Sequence, residues 1–305
     1  MSSDFPKVAV LLAAYNGMAW IEEQLASILA QTGVNVDVYI SVDPSSDGTE
    51  GWCAEFALHH KNVFLLPAAG PFKGAARNFF RLIRDVDLDG YDFISFSDQD
   101  DIWYPDKLAR AVERLRTDDI DGYSSNVIAF WPNGRRMLVD KAQPQVQWDH
   151  LFEAAGPGCT YVLQPVLAAG FKQLIIDQWD KVQEVALHDW FCYAFARSHG
   201  FKWFIDPVPG MDYRQHARNQ VGVNAGLKSG FSRFRRLVDG WWFDQAQLLS
   251  ILTGRSNNPI TDSRKRAFFA GIAIHSMRYR RRRRDQLMLM AVGCISWFGS
   301  FWHGR

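Results

Sequence analysis

The tightest constraint in this sequence is a series of short apolar runs, three of them ending in a dense polar cluster. Residues 8–13, 36–42, 63–66 and 93–96 are apolar or alternate with the period of a strand. Ile21, Leu25, Ile28 and Leu29 fall on one helical face, residues 75–83 read as a second helix, and Leu108, Val112 and Leu115 keep the helical period. Pro105 stands ahead of that last helix, where its fixed φ suits a first turn. A β-α-β-α alternation of this kind implies an α/β fold with a mostly parallel central sheet joined by right-handed crossovers.

Beyond Asp118 the rhythm weakens. Residues 126–130, 160–163 and 201–205 read as strands, and residues 166–176 and 189–197 as helices. From residue 226 the character changes to long helical stretches over 231–252 and 263–284, rich in arginine and aromatic residues. The expected organisation is one α/β domain over residues 1–225 and a C-terminal helical appendage over 226–305. With 305 residues, 48% apolar and 22% charged, the chain can bury a large core, which excludes a disordered or fibrous protein. The net charge of +1 gives no global nucleic-acid signal. Cys53, Cys159, Cys192 and Cys294 are widely spaced, so neither a zinc knuckle nor a disulfide framework is expected and a reducing cytosol fits. No basic segment with a long apolar core precedes Lys7, so no signal peptide is read and the catalytic part is expected in the cytoplasm.

In an open parallel sheet, ligands bind beyond the carboxyl ends of the strands, so the polar residues just after each apolar run are the informative ones. Ala14, Tyr15, Asn16 and Gly17 follow the first run, residues 43–49 the second, and Ser97, Asp98, Gln99, Asp100 and Asp101 the fourth. The last cluster is the sharpest: three carboxylates within four positions repel one another unless a cation compensates. Oxygen ligands favour Mg2+ or Mn2+, which would bridge a diphosphate, with Lys73 or Arg77 as a helping cation. Taken alone, each cluster also has a plainer reading. Asp98 to Asp101 could be a solvated turn or helix cap, and residues 43–49 consist of ordinary turn formers. No P-loop and no Gly-x-Gly-x-x-Gly after a strand is present, so any phosphates are held another way.

These segments, VAVLLAAYNG at 8–17, SVDPSSDGT at 41–49, KGAARN at 73–78 and SDQDDIW at 97–103, resemble family-2 glycosyltransferases with the GT-A nucleotide-binding fold. HDW at 188–190 and YRQHARNQV at 213–221 resemble the rhamnosyltransferase-like bacterial branch. The resemblance implies donor contacts from Ala14, Tyr15, Asn16, Asp43, Lys73, Asn78 and Asp98, with Asp43 on the pyrimidine edge and Asp98 on the ribose. It implies Asp100 as metal ligand, His216 on the metal or the diphosphate, and Asp189 as general base. Pro44 stands where a second acidic residue is common, and Ala217 where a glycine is usual.

The implied reaction is a metal-dependent inverting transfer of a sugar, dTDP-rhamnose being one candidate donor, to a hydroxyl of a glycan or polyprenyl-linked glycan in cell-envelope polysaccharide synthesis. One carboxylate base suffices, and an apolar helix of Trp190, Phe191, Tyr193, Ala194 and Phe195 behind Asp189 would raise its pKa; the competing reading of Asp189 is an N-cap. His59, His60, His150 and His199 have no partner pattern and read as surface or packing residues. In the tail, Arg278 and Arg280 to Arg284 precede an apolar stretch over 287–302, shorter than the ~20 residues of a spanning helix. A basic helix followed by aromatic-rich sequence fits peripheral attachment to an anionic inner membrane face; a helix packed on the core is the alternative. Two other functions remain open at this point. A sugar nucleotidyltransferase would carry a glycine- and arginine-rich loop after the first strand, which residues 13–17 lack, and a non-catalytic sugar- or metal-binding module would leave Asp189 remote from Asp100.

Overall fold

The computed structural model describes residues 5–216, 241–254, 260 and 266–299. Ala217, the first part of the helix expected over 231–252, and Phe301 and Trp302 lie outside the described residues. The chain divides into two compact units: residues 1–142, 155–192 and 200–223 form the first, and residues 143–154, 193–199 and 224–305 the second.

The first unit is built on β1 (Lys7–Ala14), β2 (Asn35–Val42), β3 (Val63–Leu65), β4 (Phe93–Ser97), β6 (Gly122–Ser125), β9 (Val162–Leu163) and β10 (Trp203–Asp206). They make a seven-stranded sheet in the order β10-β6-β9-β4-β1-β2-β3. Every pairing in it is parallel except those of β9, which runs antiparallel to both β4 and β6. β1 lies inside the sheet with Val8 to Leu12 fully buried, which explains an unbroken apolar run in place of an alternating one. Helices α1 (Ile21–Leu29), α2 (Thr49–His59), α3 (Ala75–Asp85) and α4 (Lys107–Thr117) connect the early strands, and α5 (Pro165–Asp177), the short α6 (Trp179–Val182) and α7 (His188–Ser198) follow. α1 turns Ile21, Leu25 and Ile28 inward, as its spacing predicts, with Gln24 buried beside them and Leu29 only partly buried.

Register decides where the site forms. Ala14 pairs with Val42 and Leu12 with Ser97, so the chain leaves β1, β2 and β4 along one edge of the sheet. A second sheet, β5 (Ile102–Trp103), β11 (Met211–Arg214), β7 (Val127–Phe130) and β8 (Arg136–Val139), has the order β5-β11-β7-β8. It begins one residue after the acidic cluster and brings residues 211–214 alongside Ile102 and Trp103.

In the second unit the helix expected over 263–284 is two elements. Arg266–His275 ends in a 3-10 turn, Ser276–Arg278, and a new helix starts at Arg283–Gly299. The break has an electrostatic cause. Arg281 is buried, pairing with Asp149 at 3.3 Å and Glu153 at 3.4 Å, while its backbone N–H donates to Glu153 at 2.8 Å. The Tyr193 hydroxyl and Arg197 also donate to Asp149. Burial alone would raise the Asp149 carboxyl; the His150 N–H and the Arg281 and Arg197 charges hold it below its usual range. Arg280 donates to the Phe152 carbonyl at 2.6 Å and pairs with Asp285. Two members of the basic run, Arg280 and Arg281, therefore face the interior and are not available to an anionic membrane surface. Where the two helices cross, Gly293 is needed for close approach: a Cβ there would lie 2.9 Å from the Phe269 carbonyl oxygen.

Candidate active site

Three loops at the common strand edge are knitted together by hydrogen bonds. The Tyr15 N–H donates to Gln99 Oε1 at 2.7 Å, and Gln99 Nε2 donates back to the Tyr15 carbonyl at 2.8 Å. This side-chain pair ties the β1 loop to the acidic loop in the manner of a strand rung. It also explains Gly17, where a Cβ would lie 2.3 Å from Gln99 Oε1. On the other side the β1 and β2 loops interlock: Asn16 N–H donates to Ser45 Oγ at 3.0 Å, Ser46 N–H to Asn16 Oδ1 at 2.9 Å, and Gly17 N–H to Thr49 Oγ1 at 2.8 Å. Asn16 has φ 47°, a left-handed conformation that asparagine tolerates.

Asp43 anchors the next loop. Its carboxylate accepts the Phe72 N–H at 2.8 Å and the Lys73 N–H at 3.1 Å, holding Lys73 at φ 58°. Asn78, on α3, is only 2% exposed, and its amide donates to the Ser41 carbonyl at 2.9 Å and the Ala14 carbonyl at 3.4 Å while accepting from the Ser41 hydroxyl. In the folded chain Asn78 braces the ends of β1 and β2. Ala14 is buried at that brace, whereas Tyr15 projects with 56% of its surface exposed.

The acidic loop separates its carboxylates by role. Asp98 is half-buried; burial first, then the negative charges of Asp100 and Asp189, push its pKa up to about 7, with the Cys159 thiol opposing. Asp101 is fully buried and lies well above the usual range through burial and its acidic neighbours, although Oδ1 accepts the Arg214 N–H at 3.1 Å. Asp100 is turned the other way: its Oδ2 is 2.7 Å from His216 Nε2, and its carbonyl accepts from Arg214 Nε at 2.8 Å. Asp100 and His216, the two residues expected at a metal, thus converge. A deeper trio, Asp98, Asp101 and Cys159, also gathers ligand atoms within 4.8 Å. Burial keeps that thiol protonated and pulls the Lys107 amine, 2% exposed and 3.4 Å above the Trp103 ring, down to about 7 against the opposing pull of Cys159 and Asp101. A neutral thiol, a soft ligand, does not suit a hard cation there.

Asp189 sits in the first turn of α7. Its carboxylate accepts the Trp190 N–H at 2.7 Å and a backbone N–H from Gly158, yet burial prevails and raises its pKa to about 6, against the pull of Lys141. The capping and catalytic readings are therefore compatible: the hydrogen bonds orient a carboxylate whose charge reaches Asp98. Gly158 makes room, since a Cβ there would lie 3.0 Å from Asp189 Cβ and 2.4 Å from His188 Nε2. His188 is a packing residue, stacked on Phe79 at 3.8 Å and held neutral by burial, which pushes its pKa down to about 3.

Residue-type reasoning missed Gln99, Lys107, Gly158 and the Arg214 link. Of these, only Gln99 gave a signal, as the one uncharged residue within Asp98 to Asp101. Replacing Gln99 with alanine removes both rungs to Tyr15 at an exposed edge where water substitutes. The donor KM is expected to rise ~10-fold, about 1–2 kcal/mol for two hydrogen bonds, with kcat nearly unchanged. Initial-rate kinetics check this, and an unaltered KM would mean that Gln99 does not shape the donor loop.

Residues 9–202 match the family described as Glycosyl transferase family 2. Over 291 residues, 94% of this chain and 100% of the relative, the sequence is 42% identical to a dTDP-rhamnosyl transferase, RfbG, of Shigella flexneri. It is 26% identical over 54% of its length, and 62% of the relative's, to an Escherichia coli UDP-Glc:alpha-D-GlcNAc-diphosphoundecaprenol beta-1,3-glucosyltransferase, WfgD. Among solved structures it resembles the Pyrobaculum calidifontis mannosyltransferase PcManGT in complex with GDP-Man and Mn2+ (TM-score 0.54, 16% identity, 99% of this chain and 77% of that one). It also resembles S. aureus TarS 1-349 in complex with UDP-GlcNAc (TM-score 0.54, 12% identity, 98% and 92%). At such identities these two show the fold, a GT-A type with a mostly parallel sheet. Since the family match runs through the first strand, the acidic loop and Asp189, and a relative shares its whole length, this chain belongs to glycosyl transferase family 2 and is a glycosyltransferase.

Proposed function

We propose that the chain transfers rhamnose from dTDP-rhamnose, with inversion and with a divalent ion, to a hydroxyl of a glycan or polyprenyl-linked glycan in cell-envelope polysaccharide synthesis. The observation that carries the transfer chemistry is Asp189, a half-buried carboxylate held by two backbone N–H groups against the acidic loop. The donor assignment is supported by the full-length likeness to the Shigella enzyme. In this reading Ala14, Tyr15, Asn16, Asp43, Lys73, Asn78 and Asp98 make up or support the nucleotide-sugar site. The convergence of Asp100 Oδ2 and His216 Nε2 suits a hard divalent cation, Mg2+ or Mn2+, which when bound would neutralise the leaving diphosphate. As the acceptor oxygen bonds to the anomeric carbon, Asp189 takes its proton, and the bond from that carbon to the phosphate oxygen breaks with its electron pair leaving on the nucleoside diphosphate.

The test is a screen of nucleotide sugars, dTDP-rhamnose, UDP-glucose and GDP-mannose among them, for nucleoside diphosphate release with an envelope glycolipid extract as acceptor. dTDP release that is lost with EDTA and restored by Mn2+ or Mg2+ supports the proposal. Release of pyrophosphate would indicate a nucleotidyltransferase, and binding without turnover a non-catalytic module. The pH profile has a defined sign. Burial raises Asp189 to about 6 and the base works deprotonated, so kcat falls ~tenfold per unit below pH 6 and levels off above it. Asp98, near 7, acts on donor binding and so appears in kcat/KM instead. A kcat flat from pH 5 to 8 would remove Asp189 from the base role.

Among the described residues no helix is long and apolar enough to cross a membrane. We infer peripheral attachment at the cytoplasmic face, supported by the helix Arg283–Gly299, where Arg283 and Arg284 are exposed beside exposed Leu287, Met288, Met290 and Ile295. Reversing Arg283 and Arg284 to glutamate is expected to release the protein from anionic vesicles at low salt without lowering Tm, at ~1 kcal/mol per charge removed. Arg280 and Arg281, being internal, are unsuitable for this test. Wild-type protein that stays in the supernatant with those vesicles would end the membrane reading.

A further inference from the structure

We propose that Trp20 is a positioning residue for the cation site, acting on Asp100 through the His216 ring against which it stacks. This rests on the reading of Asp100 and His216 as cation and diphosphate contacts. The Trp20 and His216 rings are 4.0 Å apart between centroids and 14° from parallel. At its edge the same imidazole meets Asp100, with Nε2 2.7 Å from Oδ2. One ring thus has an aromatic plane on its face and a carboxylate at its edge.

The backbone around His216 is located by other means, which isolates what Trp20 adds. Gln215 N–H donates to the Phe130 carbonyl at 2.9 Å, Arg214 N–H to Asp101 Oδ1 at 3.1 Å and Arg214 Nε to the Asp100 carbonyl at 2.8 Å, while the Arg214 guanidinium pairs with Glu23 of α1. These contacts bring His216 to the acidic loop. The stacked partner adds a hold on the plane of its ring, because an offset parallel ring pair is favoured only over a narrow range of tilt. Trp20 is itself fixed, at the residue just before α1: its N–H donates to the Gly17 carbonyl at 2.9 Å and its carbonyl accepts the Gln24 N–H at 3.0 Å. The same turn is pinned by Thr49 at the Gly17 N–H and by Gln99 two residues earlier at Tyr15, so the orientation of His216 is tied to the donor loops. Without the indole the imidazole would lose that hold on its tilt, and more of its ordering would have to occur as the ion bound.

The experiment is calorimetric titration of Mn2+ into full-length protein saturated with dTDP, using Trp20→Ala, Trp20→Leu, Trp20→Phe, His216→Ala and the Trp20→Ala/His216→Ala double variant. A stacked pair contributes roughly a fivefold factor, so Trp20→Ala and Trp20→Leu should weaken the Mn2+ Kd about fivefold and Trp20→Phe should restore it to within about twofold. The deciding arm is the double variant. If Trp20 acts through His216, it binds Mn2+ no more weakly than His216→Ala alone. A merely structural Trp20 would lower Tm and leave Kd alone, or would weaken binding equally in both backgrounds; either result overturns the proposal. Should the alanine variant fail to fold, the leucine and phenylalanine pair carries the same comparison. Loss of Mn2+ affinity in His216→Ala with none in the Trp20 variants overturns this inference alone, whereas wild-type affinity in His216→Ala also overturns the cation-site reading beneath it.

Discussion

Asp189→Asn is expected to lower kcat by ~1,000-fold, about 4 kcal/mol, while donor affinity stays the same or tightens slightly. The amide oxygen can still accept the Trp190 and Gly158 N–H groups that orient the wild-type side chain, so the first turn of α7 keeps its geometry. What is lost is a site for the acceptor proton. Removing one negative charge from the acidic site favours a diphosphate nearby, in part offset because Asp98, whose carboxyl is pushed up partly by Asp189, then ionises more readily. Donor titration and initial rates separate the two effects. Turnover near wild type in the asparagine variant would mean that another group accepts the proton.

Asp100→Ala is expected to abolish the metal-dependent part of nucleotide binding, a loss of ~100-fold or more in Mn2+ affinity for removal of a hard carboxylate ligand. The fold should survive, because Arg214 Nε donates to the Asp100 backbone carbonyl, which alanine retains. His216 loses its hydrogen-bond partner but keeps the stack on Trp20. Calorimetry with Mn2+ and dTDP measures the effect, and a folded alanine variant with unchanged affinity would remove Asp100 from the cation site.

The parts of this fold that were legible in the sequence are those where burial is one-sided or complete over several residues. β1, β2 and β4 are recognisable because their interiors are continuous apolar surface, and the polar clusters after them mark one sheet edge because parallel register carries all three chain exits to the same place. Asp98, Asp100 and Asp189 were readable as an ordered set, yet their different environments were not. Whether a carboxylate in this loop meets His216, like Asp100, or is fully enclosed, like Asp101, depends on residues more than 100 positions away. Of the second sheet only β7 showed, as the strand read over 126–130; β5, β8 and β11 are two to four residues long, and β11 reads Met-Asp-Tyr-Arg, too short and polar for a period to show. Lys107, the first residue of α4, is buried against Trp103, and nothing local in the sequence marks it. In the tail, a run of arginines has a helical period and a charge pattern but no local sign that Arg281 is needed at Asp149, 132 residues earlier. Long-range charge pairing overrode the local propensity and broke the helix.

The anomeric configuration of the product, read by NMR from the coupling at the transferred sugar's anomeric carbon, tests single-base transfer at Asp189 most directly. With one carboxylate removing the acceptor proton while the nucleoside diphosphate departs from the opposite face, the product must have the configuration opposite to that of the donor sugar. A product that retains the donor's configuration would contradict that mechanism and require a second reacting group.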